Sequence, residues 1–268
     1  MGKFRLRKRR QRHVAGEAIP VRSMIPNLVT FMAAASGITS IRFSCNENWR
    51  AAVLFILLAA LCDGLDGRVA RMLRATSKLG AELDSLSDFV SFGVAPGMLV
   101  YFWMMQEVYA STAAYAFRGC FWALALFYAL CCAFRLARFN IMLEMPTQPY
   151  WKHFFMGLPA PGGAGLVVMP IIWELHSKST LSGTPWYGAA SLLVCGLLLA
   201  CRLPTPSLKH IRIPANRMIP VLLAVMLLFG MLFAEFWGTL FYIGMAYYAA
   251  VPVCSIVFCR LKKACEKK

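Results

Sequence analysis

CDGLDGRVARMLRATSKLGAELDSLSD, residues 62–88, sets Asp63, Asp66, Asp84 and Asp88 among Arg68, Arg71, Arg74 and Lys78. Apolar runs flank it, LFILLAAL at 54–61 and FVSFGV at 89–94, both of the kind that crosses a membrane. Asp63 and Asp66 are i,i+3 and Asp84 and Asp88 are i,i+4, so on two helices each pair shares one face. A central Asp in a membrane span costs about 2.5 to 3.5 kcal/mol, and four uncompensated ones roughly ten. Cations or the nearby arginines must therefore face them. Oxygen-only ligands favour hard divalent ions such as magnesium, manganese or calcium over zinc, which prefers His or Cys.

A plainer reading is an interfacial loop whose acids pair with Arg68, Arg71, Arg74 and Lys78, with accidental spacing. The pattern argues against accident. Written out it is D-x-x-D-G-x-x-A-R, eight residues, then G-x-x-x-D-x-x-x-D, fixing Asp63, Asp66, Gly67, Ala70, Arg71, Gly80, Asp84 and Asp88. At ordinary residue usage such a coincidence arises on the order of once in 10^8.

This pattern resembles the signature of the CDP-alcohol phosphotransferases, integral membrane enzymes that transfer a phosphoryl-linked group from a CDP-alcohol to a second alcohol and release CMP. All eight signature positions are filled. The resemblance implies a centre of two divalent cations, Mg2+ or Mn2+, held by Asp63, Asp66, Asp84 and Asp88, with Asp88 also the base that deprotonates the acceptor hydroxyl. It implies that Asp66, Gly67, Ala70, Arg71 and Gly80 contact the CDP moiety. Elementary chemistry agrees with such a site. Two divalent ions clamp a diphosphate and neutralise a leaving phosphate, a hydroxyl nucleophile needs a carboxylate to take its proton, glycine lets a nucleotide approach the backbone, and an Arg fork suits phosphate oxygens.

The whole chain supports a membrane setting. With 59% hydrophobic residues, 15% charged residues and a mean hydropathy of +0.60, its composition is that of a polytopic membrane protein. A net charge of +16 would suit a nucleic-acid binder, but the charges cluster between apolar segments, so no nucleic-acid partner is expected. The ten cysteines form no C-x-x-C pair, and Cys62, Cys131, Cys132, Cys195 and Cys254 fall in apolar runs as small core residues. His13, His153, His176 and His210 lie on separate connections without metal-ligand spacing.

The expected fold is all-α and polytopic, with about eight transmembrane helices and a polar active-site cavity at the cytoplasmic side. Residues 1–25 read as a basic cytoplasmic segment, 26–260 as the transmembrane domain and 261–268 as a basic cytoplasmic tail. A signal peptide is the rival for the N-terminus, but Pro26 and Asn27 interrupt its short apolar segment. The apolar segments run over 26–42, 50–67, 84–104, 119–139, 155–173, 186–201, 217–234 and 236–259. The sixth is short for a bilayer, and the near absence of chain between the last two leaves seven spans with a re-entrant end as a competitor. With both termini inside, 24 of the 28 Lys and Arg lie on the inner side, leaving Arg42, Arg50, Arg118 and Lys178 outside. That asymmetry is what the positive-inside rule expects, and it puts the signature at the cytoplasmic face, in a bacterium at the inner membrane.

Flanking segments add detail. Asn27 in IPNLVT at 25–30 is either a helix-start cap or a CDP-binding group turned toward the nucleotide. Pro96 is expected to kink the third helix. Arg135 and Arg138 in AFRLARFN at 133–140 either snorkel to the surface or bind the acceptor's carboxylate or a phosphate. The glycines of MGLPAPGGAG at 156–165 favour close helix packing. SDFVSFGVAPG, FRLARFN, GLPAPGG and RLPTPSLK are similar to the phosphatidylserine synthase branch of the family, from about Pro26 through Lys209. That resemblance implies CDP-diacylglycerol and L-serine as substrates, contact with membrane lipids, and a homodimer.

Two other readings compete. Glycerol 3-phosphate or an inositol phosphate as acceptor keeps the chemistry, with Arg135, Arg138, Lys152, Arg202 and Lys209 as a basic cluster for the extra phosphate. A cation-coupled transporter also uses intramembrane carboxylates, but it has no need of the glycines and Arg71 at fixed spacing, and no inverted repeat is visible.

Overall fold

The computed structural model describes residues 24–73, 77–108, 116–143, 154–177, 184–201, 204–206 and 218–266. The N-terminal basic segment up to residue 23 and the last two residues of the basic tail lie outside them, as do Lys152, Arg202 and Lys209. The described chain is helical: α1 Met24–Cys45, α2 Trp49–Leu73, α3 Lys78–Asp88, a π-helical segment Phe89–Val94, α4 Ala95–Val108, α5 Arg118–Leu143, α6 Ala160–Val167, α7 Met169–Ser177, α8 Trp186–Ala200, α9 Met218–Ala234 and α10 Phe236–Glu266. A three-residue antiparallel pair, β1 Phe154–Met156 with β2 Pro204–Pro206, is the exception.

Most of these helices are apolar around their whole circumference, which suits lipid and one another more than water. Met24–Cys45, Leu79–Gln106 and Arg118–Met142 are long and apolar enough to cross a membrane, and α8 and α9 are shorter apolar helices. The chain is thus a polytopic integral membrane protein. At 15 residues, α8 is the short sixth segment the sequence anticipates. Its length of about 22 Å falls below the roughly 30 Å of hydrocarbon.

Two departures within the expected fifth segment have local causes. The fifth segment does not start as helix at 155: β1 comes first, Gly157 turns the chain at φ +81°, and the helix begins only after Pro159. It then breaks at Val168, two residues before Pro170, because proline supplies no N–H to the preceding turn. As expected, almost no chain separates α9 from α10: Glu235 alone lies between them, its N–H reaching Met231 O at 2.8 Å and its carbonyl accepting from Thr239 at 2.9 Å. α9 has no buried residue, and α10 continues as helix to Glu266, beyond the expected end at 259.

The packed interior lies among α2, α4, α5, α6, α7 and α8, around the fully buried Trp103, Tyr128, Phe92 and Phe121. α1 lies along α2 and the π segment, tied by Ser40 Oγ to Ala52 O at 2.8 Å and by Ser91 Oγ to Ala33 O at 3.0 Å. Contact there is backbone to backbone, since a Cβ on Gly37 would stand 2.8 Å from Ser91 Cα. Pro96 has no N–H, so the carbonyl four residues earlier loses the donor an α-helix would supply. The Tyr128 hydroxyl donates to that carbonyl, Phe92 O, at 2.9 Å.

Candidate active site

α2 carries Asp63 and Asp66 on its C-terminal half, and α3 carries Asp84 and Asp88 on the helix that follows. The sequence folds this way because Ser77 caps α3: its side chain accepts from Gly80 N at 3.0 Å and fixes where the second pair begins. Carboxylate oxygens of Asp63, Asp66 and Asp84 then all lie within 4.8 Å of one another. Ligands on one hard cation, with bonds of 2.0 to 2.6 Å, stand at most about 5 Å apart, so this donor set fits such an ion. Asp88 joins the cluster through Asp63, with which its carboxyl is in hydrogen-bond contact.

What faces this charge matters. Among the described side chains, neither Arg68 nor Arg71, both exposed, forms a salt bridge with any of the four aspartates; Arg74 and the side chain of Lys78 lie outside them. On α5 the half-buried Arg135 lies within electrostatic range of Asp88 and Asp63. Its Nε is held by Leu158 O at 2.5 Å. Pairing with Arg68 and Arg71 therefore does not account for the cluster.

Beside the cluster a cleft of about 430 Å³ is lined by Pro26, Asn27, Thr30, Asp66, Gly67, Ala70, Arg71, Ser77, Gly80, Ala81 and Asp84. Every residue expected to contact CDP is in this lining. The two signature glycines do different things. A Cβ on Gly67 would meet no protein atom within 4 Å, so it borders open cleft, whereas a Cβ on Gly80 would crowd Asn27 Oδ1 at 3.0 Å and Ser77 Oγ at 3.1 Å. Asn27 sits in the first turn of α1 with its side-chain oxygen turned to this lining.

Arg135 and Arg138 part company. Arg138 donates from Nη1 to Ala200 O at 2.8 Å and from Nη2 to Cys201 O at 3.3 Å, satisfying carbonyls that the end of α8 leaves open. Gly157 makes room for it, because a Cβ there would stand 3.2 Å from Arg138 Nη2. Asn140, one turn from Leu136 on the same helix, donates to Ser85 Oγ at 2.9 Å and ties α5 to α3 beside Asp84.

Sequence reasoning missed Thr30, whose hydroxyl donates to Asp66 Oδ2 at 2.9 Å, and Ser77, the α3 cap. The signals were present in IPNLVT, which puts Thr30 one turn from Asn27, and in Ser77 standing three residues before Gly80.

Residues 23–201 match the CDP-alcohol phosphatidyltransferase family, a region ending with α8 and excluding α9 and α10. A Mycobacterium leprae protein named CDP-diacylglycerol–serine O-phosphatidyltransferase is 36% identical over 194 residues, 72% of this chain and 61% of that protein. A Helicobacter pylori protein of the same name is 31% identical over 206 residues, 77% of this chain and 81% of its own. An archaetidylserine synthase of Methanothermobacter thermautotrophicus is 37% identical over 142 residues, covering 52% of this chain and 54% of that protein. The chain thus spans about three fifths of the length of the mycobacterial relative.

Proposed function

The chain belongs to the CDP-alcohol phosphatidyltransferase family, and on that premise we propose that it transfers the phosphatidyl group of CDP-diacylglycerol to L-serine, forming phosphatidylserine and CMP. The observation that carries this reading is the convergence of Asp63, Asp66 and Asp84 on one edge of a cleft that also contains Asn27, Gly67, Ala70, Arg71 and Gly80. The names of the bacterial relatives, and serine in the name of the archaeal one, favour serine as acceptor.

In this reading the cytidine diphosphate lies in the cleft against Gly67 and Ala70, with Arg71 on its phosphates. Asp63, Asp66, Asp84 and Asp88 hold two divalent cations, Mg2+ or Mn2+, which when bound neutralise the diphosphate and the departing phosphate. Asp88 takes the proton of the serine hydroxyl as its oxygen forms a bond to the diacylglycerol-bearing phosphorus and the bond to the CMP oxygen breaks. In the same reading Arg135, whose Nε donates to Leu158 O and whose charge lies within electrostatic range of Asp88, takes the serine carboxylate. Arg138, committed to the α8 carbonyls, is the lesser candidate. The Lys and Arg asymmetry supports a cytoplasmic active site, with both termini inside, at the bacterial inner membrane. Small residues on several spans are compatible with a homodimer.

The test is CMP release by purified protein from CDP-diacylglycerol with Mn2+ or Mg2+, comparing L-serine, glycerol 3-phosphate, inositol and no acceptor. Serine-dependent release that chelator abolishes and metal restores is the expected result. Release with glycerol 3-phosphate or inositol alone moves the acceptor and keeps the mechanism. No release with any acceptor, from folded protein, overturns the enzyme reading.

A further inference from the structure

Thr30 stands between the two helices that carry the carboxylates. It is 5% exposed, its hydroxyl donates to Asp66 Oδ2 on α2 at 2.9 Å, and its backbone carbonyl accepts from Ser87 Oγ at 3.0 Å, next to Asp88. One residue of α1 therefore touches the supports of both aspartate pairs. The plain role for a helical threonine is a bond back to its own preceding turn, and Pro26 O does lie 3.1 Å from the same oxygen. A hydroxyl has one proton, and a carboxylate is the stronger acceptor at the shorter distance.

We infer that Thr30 is a positioning residue for the cation site: its hydroxyl fixes the orientation of the Asp66 carboxylate and so sets divalent-cation affinity. This rests on the metal reading of the aspartate cluster given above. It goes beyond that reading because Thr30 belongs to neither aspartate pair and lies outside the signature. Partners behind a ligating carboxylate orient it and typically contribute tenfold to hundredfold in metal affinity.

The experiment is Mn2+ binding to the full chain in detergent, followed by loss of the free-ion electron paramagnetic resonance signal, with thermal melting alongside. Wild type, Thr30→Val, Thr30→Ala and Thr30→Ser are compared, with Asp66→Asn as the ligand control. Thr30→Val keeps the shape and removes the donor, and its Mn2+ dissociation constant should rise about tenfold to hundredfold, with Thr30→Ser returning toward wild type. Thr30→Ala should match Thr30→Val, and serves in its place if Thr30→Val does not fold. Unchanged Mn2+ affinity in the donor-free variants, even with a lower melting temperature, reduces Thr30 to helix structure and overturns the inference alone. Wild type that binds no Mn2+ overturns the metal reading and this inference together.

Discussion

Arg138 Nη1 lies 2.8 Å from Ala200 O, so the guanidinium that closes the end of α8 is turned away from the carboxylates that its neighbour Arg135 faces. Two arginines three residues apart on one helix thus have separate duties. Arg138→Ala should lower stability by about 2 kcal/mol, the size of a lost charged hydrogen bond, and leave the KM for serine near wild type. Arg135→Lys, which keeps charge but loses the fork, should raise the KM for serine about tenfold or more at similar stability. Thermal melts in detergent and serine titrations of CMP release separate the two.

Asp88→Asn should lower kcat by about 10^2 to 10^4, the range for loss of a general base, while CDP-diacylglycerol still binds. The check is single-turnover CMP release beside equilibrium binding of the nucleotide lipid. Loss of binding with no separate loss in kcat would assign Asp88 to holding substrate only.

Gly67→Ala and Gly80→Ala should fail in opposite ways. A methyl at Gly67 meets no protein atom within 4 Å, so the variant should melt at or slightly above wild type, since alanine favours helix by up to about 1 kcal/mol. It should raise the KM for CDP-diacylglycerol about tenfold, an effect of roughly 1.4 kcal/mol. At Gly80 the methyl presses on Asn27 and on the Ser77 cap, so stability should fall by about 1 kcal/mol. Parallel melts and substrate titrations decide.

Tyr128→Phe should cost about 1 to 3 kcal/mol, because it leaves the Phe92 carbonyl without its donor in a fully buried place. KM values should hold, since Tyr128 lines no part of the cleft.

The aspartate pairs were legible because fixed spacing on a helix maps directly onto a face, and the residues that line the cleft followed from the resemblance of the signature to its family. Asp63 with Asp66, and Asp84 with Asp88, needed only the helical period to be paired, whereas the start of α3 at Lys78 lies ahead of the apolar segment expected from 84. The helical, membrane-spanning character and the short α8 followed from apolar length; among the described residues three helices are long and apolar enough to cross a membrane, so the expected count of about eight spans was not readable from apolar length alone. What sequence could not supply were relations set by packing between distant segments. Nothing in FRLARFN distinguishes Arg135 from Arg138, because the difference lies in which neighbour, Leu158 or Ala200, stands opposite. The start of α6 at Ala160 was likewise hidden, because the apolar run from 155 reads through a turn that only the backbone at Gly157 reveals.

The π segment Phe89–Val94 joins the helix of the second aspartate pair to a helix locked into the core by Leu99, Val100 and Trp103. Each residue of an α-helix advances the chain by about 100°, so losing or gaining one residue here would turn Asp84 and Asp88 by that amount against α4. This stretch therefore tolerates exchange of side chains far better than a change of length. In any lineage carrying this protein, single-codon insertions and deletions between Asp88 and Ala95 should be purged, even though none of those six residues touches the cleft.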